Sequence, residues 1–227
     1  MHCLICDQEI FPILDWKQLF VPEKSKPLCD GCDSKLELLS GKRCKKCSRN
    51  CIVSICPDCE QWEKMSGSQG ELECNQSVYR YNSMIQEIIA NWKYRGDYIL
   101  CEIFRDSFKN RFQTNFDFLK KTAVLVPIPL SPERMLERGF NQAEALVQLL
   151  DLPYMNALTR LHGEKQSKKT RKQRLSSQNP FEVITSINQP VILIDDIYTT
   201  GITLRHAARQ LKLHGSPSVY AFTLIRG

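Results

Sequence analysis

Four Cys-x-x-Cys pairs lie within the first 59 residues of this 227-residue chain. A tight turn between two cysteines lets both thiolates face one cation, and two such turns complete a tetrahedral four-thiolate shell. Because that shell leaves no open position for water, we predict structural zinc, one or two ions, without a catalytic role. The predicted ligands are Cys3, Cys6, Cys29, Cys32, Cys44, Cys47, Cys56 and Cys59.

The spacing of the pairs leaves their grouping open. We expect neighbouring pairs to share a metal, although interleaved pairs could also do so and Cys51 could replace a member of the second set. A thioredoxin-like redox motif would explain one pair, but four pairs without a surrounding βαβ pattern favour zinc. A segment with so few large apolar residues would depend on metal binding for its folding.

Cysteine usage and hydropathy both bear on the compartment. The cysteine count of 11 is odd, which favours reduced or metal-bound thiols in a reducing cytosol over a disulfide framework. The longest apolar runs fall far short of the roughly 20 residues that a membrane-spanning helix needs. The N-terminus also lacks the pattern of a secretory signal. We therefore expect a cytoplasmic protein with no membrane span.

Composition and charge change along the chain near residue 70. A Gly/Ser-containing stretch spans 64–70, as is typical of a linker. The first 75 residues carry 10 basic and 12 acidic residues, whereas the remainder carries 21 basic and 13 acidic ones. We predict a cysteine-rich double zinc-ribbon module at 1–70 and a second domain at 71–227, whose positive field suits an anionic ligand.

The second domain alternates strand and helix patterns. Apolar runs at 123–126, 191–194 and 219–225 are typical of buried strands, while helical spacing recurs at 84–92, 141–150 and 204–213. This alternation predicts an α/β fold with a mostly parallel sheet and helices on both faces.

The segment 191–203 carries the strongest functional signal. It consists of an apolar strand, two acids and a hydroxyl-rich turn that opens a helix. Ligands of such sheets lie beyond the carboxyl ends of the strands. Backbone amides, hydroxyls and the helix N-terminus suit a phosphate, while the two acids suit sugar hydroxyls or Mg2+. The candidate residues are Asp195, Asp196, Thr199, Thr200, Gly201 and Thr203.

This segment resembles the thirteen-residue phosphoribosyl pyrophosphate (PRPP) signature of type I phosphoribosyltransferases. A Val-Pro-Ile-Pro element at 126–129, followed by Arg134 and by Arg-Gly-Phe-Asn-Gln at 138–142, is similar to the ComF family. Together with the cysteine pairs, the resemblance covers essentially the whole chain. It implies a type I phosphoribosyltransferase-like fold that binds PRPP with Mg2+. Arg134 and Arg138 are four positions apart and can lie on one helical face toward this polyanion, and a solvated basic face is the alternative.

The ComF resemblance also implies a biological role. Members of that family act in natural transformation, and the implied partners are a ComF-encoded DNA-translocating ATPase and single-stranded DNA. Composition and spacing carry no independent indication of DNA uptake.

A basic segment at 161–175 contains six lysines and arginines against one acid. In phosphoribosyltransferases the corresponding region is a flexible hood that closes over the diphosphate. A clamp on single-stranded DNA and a solvated loop are the alternatives.

Two functions fit these residues best, and the intact acidic pair argues against a third, a zinc-ribbon nucleic-acid binder on an inactive scaffold that does not respond to PRPP. The first is a phosphoribosyltransferase with an unidentified acceptor, in which Asp195 and Asp196 would fix the ribose. The second is a non-catalytic adaptor whose PRPP binding changes its affinity for the ATPase or for DNA. Release of pyrophosphate distinguishes the two.

Overall fold

The computed structural model describes residues 1–11, 27–65, 70–161 and 179–227. Strands within these ranges are β1 (Asn75–Arg80), β2 (Val124–Pro127), β3 (Leu158–Arg160), β4 (Phe181–Val183), β5 (Val191–Tyr198) and β6 (Val219–Arg226). The helices are α1 (Asp30–Asp33), α2 (Pro57–Lys64), α3 (Ser83–Tyr94), α4 (Arg105–Phe116), α5 (Pro132–Arg138), α6 (Gln142–Gln148) and α7 (Ile202–Leu213). Two 3-10 helices cover Tyr98–Phe104 and Asp117–Leu119.

The main sheet has four strands in the order β1-β6-β5-β2, and all of its neighbours pair in parallel. The predicted runs at 123–126, 191–194 and 219–225 form β2, β5 and β6. The predicted helical patterns at 84–92, 141–150 and 204–213 form α3, α6 and α7. The α/β prediction, with a mostly parallel sheet, is therefore confirmed.

Strand β5 is the central element because it pairs with β6 on one side and β2 on the other. Its first four side chains are all buried, as a strand covered on both faces requires. Ile192 and Ile194 pack into one hydrophobic core, whereas Val191 and Leu193 pack into another. Both faces of the sheet are thus covered, as predicted.

The first core is rich in aromatic rings. Helix α4 presents Phe108, Phe112 and Phe116 along one face, at the spacing of successive helical turns. All three rings surround Phe222 of β6, with centroid distances of 4.4, 5.5 and 5.8 Å. Helix α3 joins this core and begins after Asn82, whose Oδ1 accepts a hydrogen bond from the Ile85 amide at 2.9 Å.

The second core combines α7 with part of the cysteine-rich segment. Ala207, Ala208 and Leu211 of α7 pack against the sheet together with the cysteines at 44, 47, 56 and 59. The segment also hydrogen-bonds the edge strand, because the Asn75 amide donates to the Lys46 carbonyl at 2.8 Å. The predicted boundary near residue 70 stays a prediction, although these cysteines share a core with the sheet.

Strands β3 and β4 form a separate antiparallel pair. They flank residues 162–178, which lie outside the described residues and include most of the basic segment. Among the helices of the described ranges, none has both the length and the apolar character that crossing a bilayer would demand.

The aromatic core gives a test of whether the rings packed around Phe222 stabilise the fold. We expect Phe222→Ala to lower the free energy of unfolding by about 3–5 kcal/mol, because it leaves a cavity among three phenylalanines. Phe118→Ala is the matched control, since Phe118 is 70 % exposed and its loss should cost less than about 0.5 kcal/mol. Urea unfolding of both variants measures the difference, and equal losses would contradict this assignment of the core.

Candidate functional site

The eight cysteines of the four pairs form two clusters of four. In each cluster the Sγ atoms all lie within 4.8 Å of one another. The first contains Cys3, Cys6, Cys29 and Cys32, and the second contains Cys44, Cys47, Cys56 and Cys59. Neighbouring pairs are therefore grouped as expected, and the sharing of one metal by each group stays a prediction. We call them the first and the second cysteine cluster.

Each cluster combines two kinds of local structure. One pair lies in a turn that closes with a residue of positive φ, which is Asp7 (58°) in the first cluster and Ser48 (61°) in the second. The amides of these residues both donate to the carbonyl four positions earlier at 3.0 Å. The other pair lies at the start of a helix, α1 or α2. The repeated geometry explains why sequence spacing identified both clusters.

The donor sets suit zinc. Four cysteine sulfurs within one small shell match a closed tetrahedral site. In the second cluster, a hydrogen bond from Cys59 and the charge of Arg226 lower the pKa of Cys47 to about 4, whereas burial raises the pKa of Cys56 and the hydrogen bond with Cys47 raises the pKa of Cys59. Cys51 lies outside both clusters, and its Sγ donates to the Val53 carbonyl at 3.1 Å.

This separation of Cys51 gives a matched pair of variants. We expect Cys56→Ser to lower zinc content by one ion per chain, because one shell loses a thiolate ligand. Cys51→Ser should leave the content unchanged. Elemental analysis of both purified variants, beside the unaltered chain, makes the comparison. Equal zinc loss in the two variants would mean that Cys51 is a ligand after all.

A cavity of about 910 Å³ opens beyond the carboxyl ends of β2 and β5. All of the predicted ligand-binding residues except Gly201 line it. These are Asp195, Asp196, Thr199, Thr200, Thr203, Arg134 and Arg138. The parallel sheet brings them together because β2 leads into α5 and β5 leads into α7 on the same edge.

The two carboxylates at the end of β5 have different surroundings. Burial, followed by the charge of Asp196, raises the pKa of Asp195 to about 7, although the Asp196 amide, Lys93 and Arg160 act in the opposite direction. Asp196 instead forms an ion pair with Lys93, and both side chains are mostly buried, at 13 % and 14 % exposed. Burial therefore has the largest effect on the pKa of Asp195, whereas the charge of Asp196 is offset by Lys93.

The turn after β5 has the backbone that phosphate binding needs. Gly201 has a φ of +78° and caps the N-terminus of α7. A Cβ at this position would also overlap the Tyr198 ring and hydroxyl, so only glycine fits. The turn places Thr199 and Thr200 at the cavity wall, next to the positive end of a 12-residue helix.

Besides Lys93 of α3, two further elements bring positive charge to the cavity. Arg134 and Arg138 come from α5, and Arg160 comes from the end of β3. Burial lowers the pKa of Arg138 and of Arg160, and the nearby Arg134 charge acts in the same direction on both. A bound anion would offset the desolvation and the mutual repulsion of these guanidinium groups.

Sequence reasoning missed four of the charged residues that line the cavity, namely the acids Glu133 and Glu137 and the bases Lys93 and Arg160. Lys93 directly follows the predicted helical pattern at 84–92, and Arg160 precedes the basic segment by one position. Both reach the cavity through tertiary contacts, Lys93 on Asp196 and Arg160 over the Phe181 ring at 5.4 Å. The exposed rings of Tyr81 and Tyr94 also line the opening, and no sequence pattern singles them out.

Asn141 and Gln142 have structural partners. The Asn141 Oδ1 accepts from the Ala143 amide at 3.0 Å, which caps α6, and its Nδ2 donates to the Ile128 carbonyl at the same distance. Gln142 Oε1 accepts from Arg138 Nη1 at 2.7 Å. The pair therefore orients α6 and Arg138 around the cavity. The predicted hood at 161–175 lies, apart from residue 161, outside the described residues.

The raised pKa of Asp195 predicts a pH-dependent cost in stability. The folded state holds its proton up to about pH 7, whereas the unfolded chain releases it near the usual value of 3.8. The chain therefore loses stability relative to Asp195→Asn as the pH rises through this window. Between pH 5 and pH 8 we expect the difference in unfolding free energy to grow by at least about 1 kcal/mol in favour of the variant.

Urea unfolding at several pH values checks this expectation. Asp117→Asn serves as the control, because Asp117 is exposed and precedes β2 at the other end of the sheet. Its difference from the unaltered chain should stay constant over the same range. A constant difference for Asp195→Asn as well would contradict the assignment of a protonated carboxyl at this position.

Comparison with known proteins identifies full-length relatives. The chain is 42 % identical over 228 residues to the competence protein ComFC of Bacillus subtilis (strain 168), covering 99 % of this chain and 94 % of the relative. Identity to ComFC of Streptococcus pneumoniae is 30 % over 229 residues, covering all of both chains. Competence protein F of Haemophilus influenzae is 27 % identical over 220 residues, covering 89 % and 86 %.

The comparisons with family models and with solved structures do not identify the family. No protein-family model matches the chain. A hypoxanthine phosphoribosyltransferase from Staphylococcus aureus is a weak structural neighbour, with a TM-score of 0.35 and 20 % identity over 56 % of this chain and 64 % of that one. The two ComFC relatives align along nearly their whole length, and the chain therefore belongs to the ComFC family of competence proteins.

Proposed function

We propose that this chain acts in natural transformation and that its cavity binds PRPP together with Mg2+. One observation carries the ligand assignment. A glycine-capped phosphate turn, two adjacent carboxylates and three arginines from two further elements surround a single cavity. The competence role rests on the names of the relatives, which are competence proteins in three bacteria.

Each part of the cavity suits one part of PRPP. The turn at 199–203 would hold the 5-phosphate through backbone amides and threonine hydroxyls. Asp195 and Asp196 would accept hydrogen bonds from the ribose hydroxyls, and they are also suitable ligands for Mg2+. Arg134 and Arg138 would bind the diphosphate, which is the most highly charged part of the molecule.

The internal ion pair fits this use of the carboxylates. Lys93 neutralises Asp196 in the described structure. A ligand that brings both hydroxyl donors and a divalent cation would supply new partners to Asp196 and favour ionisation of Asp195. Binding should therefore depend on Mg2+ and strengthen as the pH rises toward the range in which Asp195 is ionised.

Phosphoribosyl transfer is the reaction that such a site would support. An acceptor nucleophile forms a bond to C1 of the ribose while the bond from C1 to the diphosphate oxygen breaks, and pyrophosphate leaves with its electron pair. Arg134 and Arg138 would stabilise the charge that grows on the leaving group. The DNA-translocating ATPase and single-stranded DNA, which the ComF resemblance implies as partners, stay predictions.

Calorimetric titration with PRPP tests the proposal directly. We expect the zinc-loaded chain to bind PRPP in the presence of Mg2+ and at least about tenfold more weakly without it. The double variant Asp195→Asn/Asp196→Asn keeps the side-chain shapes, removes both charges and should lose the Mg2+-dependent part of the affinity. Asp117→Asn, which changes a carboxylate outside the cavity, should bind normally.

The outcomes separate the candidate functions. Absence of PRPP binding by the unaltered chain would contradict the ligand assignment. If PRPP binds, an assay for released pyrophosphate in the presence of single-stranded DNA or nucleobases distinguishes a transferase from a non-catalytic PRPP-responsive adaptor. The adaptor would bind PRPP and release no pyrophosphate under any of these conditions.

A further inference from the structure

The second cysteine cluster lies against the phosphate-binding turn. Helix α2 begins directly after Cys56 and carries Cys59 in its first turn. One turn further along, the Trp62 Nε1 donates a hydrogen bond to the Thr200 carbonyl at 3.2 Å. Helix α2, which carries Cys59, therefore contacts the backbone of the turn, although the two hydrogen-bonded residues are 138 positions apart in the sequence.

Arg226 forms a second link between the same two parts of the molecule. It lies at the end of β6 and is only 6 % exposed. Its Nη2 donates to the Cys47 Sγ at 3.7 Å, while its Nη1 donates to the carbonyls of Tyr198 and Thr199 at 3.1 and 3.2 Å. One guanidinium therefore joins a cysteine of the cluster to the first residues of the turn.

Ring contacts extend both links. The Arg226 guanidinium lies 4.9 Å from the Tyr198 ring centroid, and the Tyr198 ring closes over Gly201. Arg205, in the first turn of α7, lies 4.8 Å from the Trp62 ring centroid. The cluster, the turn and the start of α7 are consequently held by one continuous set of contacts.

These hydrogen bonds also orient the turn. Three consecutive carbonyls, those of Tyr198, Thr199 and Thr200, accept hydrogen bonds from side chains on the cluster side. In a trans peptide the carbonyl and the following N–H point in opposite directions. The amides of residues 199–201 therefore point away from the cluster, and residues 199 and 200 line the cavity.

Arg226 also has an electrostatic role. Four thiolates around one divalent cation carry net negative charge, which would repel a phosphate bound nearby. The guanidinium of Arg226 contacts both the cluster and the turn, so its positive charge offsets that repulsion. An apolar residue here would lose both the hydrogen bonds and the compensating charge.

We infer that the second cysteine cluster positions the phosphate-binding turn, with Trp62 and Arg226 as the positioning residues, so that metal occupancy there sets the affinity for the phosphorylated ligand. The ligand part of this inference rests on the proposed function. The first cysteine cluster serves as an internal comparison, because its buried cysteines, Cys3 and Cys32, pack in the other hydrophobic core, with α3 and α4.

Hydrogen exchange of the turn tests the inference without any ligand. We expect Arg226→Lys and Trp62→Phe to speed exchange of amides in residues 198–204 by at least about tenfold, as measured by mass spectrometry, while zinc content stays the same. Trp62→Phe keeps an aromatic ring beside Arg205 and removes the N–H donor.

Arg49→Lys is the matched control for Arg226→Lys. Arg49 also lies in the field of the second cluster, but its Nη2 pairs with Asp58 at 2.8 Å instead of holding the turn. Its substitution should leave exchange at 198–204 unchanged. Unchanged exchange in both Arg226→Lys and Trp62→Phe overturns the inference, and so does an equal increase in Arg49→Lys.

Removal of one metal at a time completes the test. Cys47→Ser should speed exchange of the turn and weaken PRPP binding at least about tenfold, whereas Cys6→Ser should change neither. Equal effects of the two cysteine variants overturn the inference. If the unaltered chain does not bind PRPP, the proposed function fails, but the exchange data still decide whether the cluster positions the turn.

Discussion

The parallel pairing of β5 between β6 and β2 is the constraint on which the rest of the structure depends. Because β5 is covered on both faces and both edges, its first four residues are fixed in register and have no access to water. The strand then continues into two acids at the carboxyl edge of the sheet. The stability of the buried half of the strand is what holds Asp195 in a place where its charge is unfavourable.

The cavity is lined by charges that do not balance one another fully. Lys93 is paired with Asp196, Arg138 with Gln142 and Arg160 with the face of Phe181, so these three cations have fixed positions before any ligand binds. Fixed side chains lose less entropy on binding than free ones do. Such an arrangement suits an anionic ligand.

Sequence patterns predicted the features that are contiguous in the chain. They did not predict those formed by residues that are far apart in the sequence and meet only in the folded structure. The cysteine pairs, the two acids and the threonines are local motifs, and the backbone of each motif determines its geometry. The short strands β3 and β4 were missed because three residues carry no measurable periodicity. The pairing of Lys93 with Asp196 and of Arg226 with Cys47 joins residues far apart in the chain, which no local pattern encodes.

The position of two tryptophans gives the molecule a built-in optical reporter. The Trp62 indole hydrogen-bonds the turn, whereas the fully buried Trp92 immediately precedes Lys93 on another wall of the cavity. Indole emission changes with hydrogen bonding and with nearby charge. Once Trp16, the third tryptophan of the chain, and either one of these two are replaced by phenylalanine, fluorescence would report on one wall at a time. No dye would then have to be attached to a protein with 11 cysteines, most of which are predicted metal ligands.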